Sequence, residues 1–150
     1  MVFDEGLYDP ANEPDIAYAH LFSYFRGEEW RTQKETQRLL DKYFTTKPNG
    51  IPGNDDTGTM SAWAIFNMIG FYPDCPGLPE YTLTTPVFNK VTIRLDPKWY
   101  KEKELVIESN RTQPGTLYIN KVLLNGKKFN QYRITHDELV HSQRILFDLK

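Results

Sequence analysis

Residues 53–73, GNDDTGTMSAWAIFNMIGFYP, hold the pattern that decides the fold expected for this chain. The run MSAWAIFNMI places apolar side chains on nearly every side of a helix, so we expect a helix from Gly58 to Ile69 that is buried on most of its sides. Two adjacent carboxylates, Asp55 and Asp56, stand where this helix begins. One acid is enough to cap a helix and neighbouring negative charges repel each other, so the pair needs a further explanation.

Two more helices are predicted before this stretch. The first runs from about Asp15 and ends near Gly27, and the second runs from Trp30 to Phe44 and opens near a capping pattern formed by Thr32 and Glu35. The apolar side chains expected to face the core are Ile16, Leu21, Phe22 and Phe25 in the first helix and Leu39, Leu40 and Tyr43 in the second.

The C-terminal half changes from a period of 3.6 residues to a period of 2, which predicts strands. Asn125-Gly126 predicts a hairpin turn because both residues tolerate positive φ, and THDEL, with Thr135 and Glu138 at capping-box spacing, predicts a single helical turn. The predicted strands contain Val91, Ile93 and Leu95; Leu105–Ile107; Leu117–Ile119; Val122–Leu124; and Ile145, Phe147 and Leu149.

These elements predict an α+β fold in two parts. Residues 1–74 form a helical part, and residues 75–150 form a C-terminal antiparallel β region with a sheet of about five or six strands. Three helices cannot easily enclose the all-apolar third helix, so it packs either on the sheet or against helical partners from a larger barrel. The chain is therefore expected to be part of a larger domain.

Composition excludes several classes of function. The chain has a net charge of -2 and 39% hydrophobic residues, and its Lys and Arg are scattered, so neither nucleic-acid binding nor a polybasic membrane anchor is expected. No apolar segment approaches the roughly 20 residues of a membrane span. The N-terminal segment lacks the features of a signal peptide, so the chain is cytoplasmic or its leader is missing. Cys75 is the single cysteine, and the acid and prolines around it favour a structural role.

Asp55 and Asp56 allow two interpretations. Either acid can cap the third helix by accepting hydrogen bonds from its first amides. The same amides can also keep a carboxylate ionised, which suits a general base that takes a proton from water. A calcium loop of the EF-hand type is rejected, because Gly58 falls at position 5 and Ile65 at position 12, where a Glu is required.

Asn12, Glu13 and Pro14 precede the first helix and also allow two interpretations. A proline at the first helical position with acids around it is a common helix start. Alternatively, Asn12 and Glu13 supply oxygen ligands to a cation such as Ca²⁺. The three histidines are too scattered for a zinc site, and the chain has neither a glycine-rich phosphate loop nor a nucleophile elbow.

Six segments in collinear order resemble the C-terminal part of the exo-acting α-mannosidases of glycoside hydrolase family 92. The segments are NEP (12–14), GEEWRTQ (27–33), the long block at 50–81, TPVFNKVTIRL (85–95), LNGK (124–127) and ITHDEL (134–139). The resemblance implies a calcium-dependent, inverting glycosidase with an (α/α) toroidal catalytic domain joined to β-structure. It also implies hydrolysis of terminal α-mannosides, of which the α-1,2-linked are the expected class.

The resemblance assigns roles to single residues. Asp56 matches the catalytic base, and Asn54 matches a position that helps to hold the attacking water. Asp55 matches a variable acidic position and is kept as a second candidate catalytic residue. Glu13 matches a residue at the calcium and sugar site, with Asn12 beside it. The general acid of the family is a Glu upstream of NEP, so the chain is expected to supply only the base and to be inactive alone.

The expected function is thus the C-terminal part of an α-mannosidase with Ca²⁺ as cofactor. A non-catalytic sugar-binding or interaction module and an inactive fragment are the alternatives. Expected partners are mannose-containing glycans and the remainder of the catalytic domain, and exposed apolar surface predicts self-association. The parent enzyme is expected to be exported, to the periplasm or outside the cell.

Overall fold

The structure, a computed structural model, describes residues 13–150. Three α-helices and three short 3₁₀ helices lie within this range. The α-helices are α1 (Glu29–Tyr43), α2 (Thr59–Ile69) and α3 (His136–Val140), and the 3₁₀ helices are Glu13–Asp15, Tyr18–Tyr24 and Asp56–Gly58.

The first predicted helix is instead two 3₁₀ segments, Glu13–Asp15 and Tyr18–Tyr24. Residues three apart lie above one another in a 3₁₀ helix, so Ala19 and Phe22 share the buried face. Leu21 and Phe25 were expected in the core, but they are 45% and 64% exposed. The prediction was wrong because it applied a period of 3.6 to a segment with a period of 3.

Helix α1 confirms the second predicted helix to within one residue at each end. The capping pattern at Thr32 was wrong, because the helix begins at Glu29 and Thr32 lies buried inside it. Thr32 belongs to the face that packs inward together with Gln33. The Gln33 side chain accepts a hydrogen bond of 2.9 Å from the backbone N of Ile119 and so joins the helix to the sheet.

Helix α2 confirms the third predicted helix and follows directly on the 3₁₀ turn Asp56–Gly58. Its buried side includes Met60 and Trp63. Ile65, however, is 58% exposed, so the helix is less enclosed than its composition predicts.

Within the described part of the chain, eight strands form two sheets. A three-stranded sheet has the order β1-β2-β7, and a five-stranded sheet has the order β3-β4-β8-β5-β6. The strands are β1 (Phe71–Tyr72), β2 (Glu80–Leu83), β3 (Lys90–Arg94), β4 (Glu104–Arg111), β5 (Ile119–Leu124), β6 (Lys127–Phe129), β7 (Arg133–Thr135) and β8 (Arg144–Leu149).

The larger sheet is mixed, which corrects the antiparallel prediction. Strands β4 and β8 are parallel, with Ile107 opposite Ile145. Parallel neighbours need a long crossover connection, and the chain between β4 and β8, which includes β5 to β7 and α3, provides it. The other pairs in both sheets are antiparallel.

Local turn signals in the β region are confirmed. Asn125 and Gly126 have φ of 50° and 80° between β5 and β6, and Thr135 forms a full capping box with Glu138 at α3. The strands predicted at Leu117–Ile119 and Val122–Leu124 are replaced by one strand, β5, which begins only at Ile119 and has an irregular register between Ile119 and Lys121.

Two clusters of buried side chains lie among the described residues. The larger is centred on β4, β5 and β8 and includes Phe147; the smaller includes Leu39 of α1 and Trp63 of α2. Phe66 of α2 packs against both clusters. The division at residues 74 and 75 stays a prediction, although β1 and β2 pair across it. Within residues 13–150, no helix combines the length and apolar composition needed to cross a membrane.

Candidate active site

Asp55 is held by one residue of α2. Its Oδ1 accepts a hydrogen bond of 2.9 Å from the backbone N of Ser61, and its Oδ2 accepts one of 2.5 Å from the Ser61 Oγ. The hydroxyl hydrogen bond, followed by the amide hydrogen bond, lowers the pKa of the Asp55 carboxyl. Because Ser61 is the third residue of α2, Asp55 satisfies an amide that has no partner inside the helix. Asp55 therefore caps α2.

Asp56 is held by its backbone and not by its side chain. Its carbonyl oxygen accepts hydrogen bonds of 2.7 Å from Thr57 Oγ1 and 2.6 Å from Thr59 Oγ1. The residue is exposed, and its carboxylate makes no hydrogen bond or ion pair with the part of the chain that the structure describes. The two adjacent acids are thus in different situations: both oxygens of Asp55 accept hydrogen bonds from Ser61, and those of Asp56 accept none from the described residues.

The backbone of this loop is strained. Thr57 has φ of 52° and ψ of 22°, and Gly58 after it has φ of 80°. A β-branched residue rarely adopts positive φ, and such a conformation costs about 1–3 kcal/mol and persists only where the surrounding structure imposes it. Strain of this kind is concentrated at functional sites, so Thr57 is a second indication that the loop is functional.

Asn54 is exposed beside the two acids. An extended lead-in would place Asn54 and Asp56 on the same side of the chain, but Asp55 has φ of -96° and ψ of 56°, which is not extended. The alternation of side chains along an extended strand therefore does not decide where Asn54, Asp55 and Asp56 point. The hydrogen bonds to Ser61 decide the direction of Asp55.

Helix α2 also holds the segment that follows Glu13. The Trp63 Nε1 donates a hydrogen bond of 3.0 Å to the carbonyl oxygen of Ile16. His20 is fully buried, and its Nε2 atom lies 2.9 Å from the side-chain oxygen of Asn67. One helix therefore joins the chain after the NEP motif to the loop that carries the two acids. Asn12 and the side chain of Glu13 lie outside the described residues, so their role as calcium ligands stays a prediction.

Sequence reasoning missed Ser61, Trp63, His20 and Asn67 as supports of the site. Asn67 is the signal that could have been used, because an amide in an otherwise apolar helix must find a hydrogen-bond partner if it is buried. Asn67 is fully buried, and its Nδ2 donates a hydrogen bond of 2.8 Å to the carbonyl oxygen of Trp63. Its partner His20 is 47 positions away in sequence, beyond the reach of any local pattern.

A second polar cluster lies on the three-stranded sheet. Arg133 of β7 forms ion pairs of 3.2 Å with Asp74 and with Glu80, and it lies 4.3 Å from the ring centre of Tyr24. The Asp74 side chain is 1% exposed and also accepts a hydrogen bond of 2.9 Å from Thr82. Because Asp74 is buried and fully partnered, the cluster is a structural link between the sheet and the 3₁₀ helix Tyr18–Tyr24.

No three His, Cys, Asp or Glu side chains within residues 13–150 are arranged to hold a metal ion. The Asp56 carboxylate accepts no hydrogen bond from the described residues, whereas both oxygens of Asp55 accept hydrogen bonds from Ser61.

An apolar groove with a volume of about 340 Å³ lies beside Ser61. Its lining residues include Phe44, Ile51, Ala64, Ile65 and Met68.

The chain is similar to known glycosidases. The model of the glycosyl hydrolase family 92 catalytic domain matches residues 2–150. An uncharacterized secreted glycosidase of Arthroderma benhamiae is 28% identical over 134 residues, which is 89% of this chain and 17% of the relative.

Two solved structures from Bacteroides thetaiotaomicron are also similar. A family GH92 α-mannosidase in complex with mannoimidazole has a TM-score of 0.84 and 31% identity, covering 93% of this chain and 18% of that one. A family GH92 inverting mannosidase has a TM-score of 0.84 and 34% identity, covering 99% of this chain and 19% of that one. The chain thus spans less than a fifth of the length of each of these relatives.

Proposed function

The chain belongs to glycosyl hydrolase family 92, and from this premise we propose that it forms the C-terminal part of an inverting α-mannosidase and supplies the catalytic base, Asp56. The observation that carries the proposal is the exposed Asp56 carboxylate, which has no partner within residues 13–150 and stands on a strained loop at the start of α2. The substrate class is terminal α-mannosides, with the α-1,2 linkage as the specific proposal. Likeness to two mannosidase structures at 31% and 34% identity supports this class.

The proposed mechanism requires two carboxyl groups. In inverting hydrolysis a carboxylic acid protonates the leaving oxygen, while a carboxylate roughly 6.5–9.5 Å away activates a water on the opposite face of the sugar. Asp56 is the carboxylate in this scheme, because its oxygens are free to accept the proton of the water. Asn54 orients that water through its side-chain amide. The acid is a Glu supplied by the remainder of the catalytic domain.

Asp55 has a supporting role in this scheme. Both of its oxygens accept hydrogen bonds from Ser61, so protonation of Asp55 would weaken the contact that caps α2. Its lowered pKa also makes it a poorer base than an unperturbed carboxylate, since a weaker base has a smaller driving force for proton transfer.

Ca²⁺ is the proposed cofactor, with Glu13 and Asn12 among its ligands. Calcium takes six to eight oxygen ligands, so Glu13 and Asn12 would be joined by ligands from the remainder of the domain, from water and from the sugar. When bound, the cation orients and distorts the sugar. Chelation of the full-length enzyme with EDTA is expected to abolish activity and added Ca²⁺ to restore it.

The proposal also places this chain within a larger catalytic domain. The helical part, residues 1–74, forms the end of an (α/α) toroid, and residues 75–150 form the β-structure joined to it. The remainder of the catalytic domain covers the exposed apolar side chains of the helical part, such as Ile65 of α2. Export of the parent enzyme is supported by the relative in Arthroderma benhamiae, which is described as secreted.

The test is a pair of substitutions in a full-length enzyme that carries this segment. Asp56→Asn is expected to lower kcat by at least about 10²-fold, while sugar affinity and folding stay close to those of the wild type. Asp55→Asn is the comparison variant at the neighbouring acid. It disturbs the contact with Ser61, so it is expected to lower the melting temperature and to lower kcat less than Asp56→Asn does. NMR of the first product should show β-mannose, the inverted anomer.

Loss of turnover in Asp55→Asn with full turnover in Asp56→Asn would contradict the assignment of the base. Full turnover in both variants would reject the proposed site. Retained mannose binding in a wild-type enzyme with no hydrolysis would favour the sugar-binding module instead.

A further inference from the structure

We propose that Ser61 is a positioning residue for the reaction: by holding Asp55 against α2 it sets the direction in which Asp56 presents its carboxylate. This inference rests on the proposed function, since it concerns how the loop of the same site is held. It assigns a role to a side chain that neither touches the sugar nor takes a proton.

The first observation is the geometry of the Asp55–Ser61 contact. The two carboxylate oxygens bind two different donors of one residue, at 2.9 Å and 2.5 Å. A carboxylate held at both oxygens cannot rotate about its side-chain bonds without breaking a hydrogen bond. The contact therefore closes a ring from residue 55 to residue 61, and Asp56 is the first residue enclosed in that ring.

The second observation is the backbone of the enclosed segment. Two hydroxyls, those of Thr57 and Thr59, donate to the carbonyl oxygen of Asp56 at 2.7 Å and 2.6 Å. Thr57 has φ of 52° and Gly58 has φ of 80°, so the chain reverses sharply directly after Asp56. A strained turn of this kind persists only where several contacts impose it. The Asp55–Ser61 contact anchors it before Asp56, and the two threonine hydroxyls anchor it after.

A helix cap alone does not account for these contacts. Capping needs only the hydrogen bond from the Ser61 amide, which any residue at position 61 other than proline provides. The hydroxyl adds a second, shorter hydrogen bond that fixes the plane of the carboxylate. Loss of the hydroxyl should leave the cap partly in place and release the orientation of the loop. A positioning role therefore affects kcat, whereas a purely structural role affects only stability.

The experiment compares three variants of a full-length enzyme that carries this segment. Ser61→Ala removes the hydroxyl, Ser61→Thr keeps it, and Thr135→Val is the matched control. Thr135 caps α3 through its Oγ1, which accepts a hydrogen bond of 3.1 Å from the backbone N of Glu138 in a separate part of the fold. The melting temperature, kcat and KM on an α-mannoside are measured for each variant.

We expect Ser61→Ala to lower kcat by roughly 10- to 100-fold with KM almost unchanged, because a misplaced base costs rate rather than affinity. Ser61→Thr should recover most of the lost kcat. Thr135→Val should lower the melting temperature without lowering kcat. Carboxyl NMR of the 150-residue chain gives an independent readout, in which Ser61→Ala raises the Asp55 pKa towards its ordinary value.

Full kcat in Ser61→Ala, together with loss of turnover in Asp56→Asn, would overturn the positioning role and leave the proposed function intact. Full kcat in both variants would overturn the proposed function as well. Failure of Ser61→Thr to recover kcat, although it restores the Asp55 pKa, would also overturn the inference.

Discussion

Side chains of the same type are in different situations in this structure because their neighbours differ. Asp55 and Asp56 are adjacent and chemically identical, yet Ser61 engages the first and leaves the second exposed. His20 differs from the other histidines for a similar reason. Its ring stacks on Tyr72 at 4.4 Å between ring centres and lies 2.9 Å from Asn67 in a fully buried position. The partner of each side chain, and not its type, decides what it does.

His20 should make the chain sensitive to acid. Burial lowers the pKa of its imidazole to about 4 from 6.5, against the opposing effects of the Asn67 hydrogen bond and the Asp74 charge. Since the folded-state pKa is below the unfolded one, the contribution to stability is complete above pH 6.5 and is lost as the pH falls towards about 4. The free energy of unfolding should fall by about 3 kcal/mol over this range from His20 alone.

Urea unfolding of the wild type, His20→Gln and His141→Gln at several pH values between 7 and 4 measures this effect. His20→Gln removes the titrating group and should flatten the pH dependence relative to the wild type, even if it is less stable at pH 7. His141 is exposed on the surface and serves as the control, so its variant should follow the wild type. Parallel curves for the wild type and His20→Gln would contradict the prediction.

Among the elements, α2 shows how a helix end can depend on a distant contact. The helix ends at Gly70, which has φ of 119°, and the backbone N of Gly70 donates to the carbonyl oxygen of Phe66 at 3.1 Å. A Cβ placed on Gly70 would lie 2.8 Å from the Pro86 side chain and 3.5 Å from the Phe147 ring. Only glycine fits both the backbone conformation and the space at this helix end.

Gly70→Ala is therefore expected to destabilise the chain by about 3 kcal/mol, the sum of backbone strain and overpacking. Gly27→Ala is the matched control, because Gly27 also has positive φ, 89°, but no atom lies within 4 Å of the added Cβ. It should cost only about 1 kcal/mol. Chemical denaturation of both variants gives the comparison, and equal losses would show that the Pro86 contact relaxes freely.

The molecule as a whole exposes apolar side chains on its helical part. Tyr18, Leu21 and Tyr24 recur every third residue along one 3₁₀ helix and are 44%, 45% and 50% exposed, and Phe25 after them is 64% exposed. Residues three apart lie above one another in such a helix, so these side chains form an apolar ridge. A surface of this kind indicates an interaction site or a tendency to associate.

The isolated 150-residue chain is expected to self-associate through this ridge and to show no turnover on α-mannosides. Protonation of the leaving group commonly contributes 10²–10⁴-fold, and the proposed function assigns that step to a Glu in the remainder of the catalytic domain. Sedimentation and an apolar dye measure association. Leu21→Glu should reduce both signals, whereas Trp99→Ser, which changes a more exposed side chain on the loop between β3 and β4, should not. Mannose release by pure, monomeric chain would contradict both expectations.

The sequence by itself determined the elements whose signals are local. Helices α1 and α2, the Asn125-Gly126 hairpin, the Thr135 capping box and strand β8 all lie within one or two residues of their predicted positions. Each depends on side-chain period or turn chemistry within a few residues, so the information is contained in the segment itself. The family was also recognisable from the sequence, because its motifs occur in collinear order along the chain and the family model matches residues 2–150.

Only the tertiary structure decided the features that depend on distant residues. The parallel pairing of β4 with β8 joins segments that are some forty residues apart, and His20 finds its partner Asn67 47 positions away. The exposure of Leu21 and Ile65 depends on what packs around the helices, and not on their own composition. The difference between Asp55 and Asp56 depends on the positive φ angles of Thr57 and Gly58, which bring Ser61 back to Asp55, and a threonine gives no sequence signal for such a conformation. Contacts between distant segments and the exposure of a face are also not contained in a local pattern, because they depend on segments that the fold brings together.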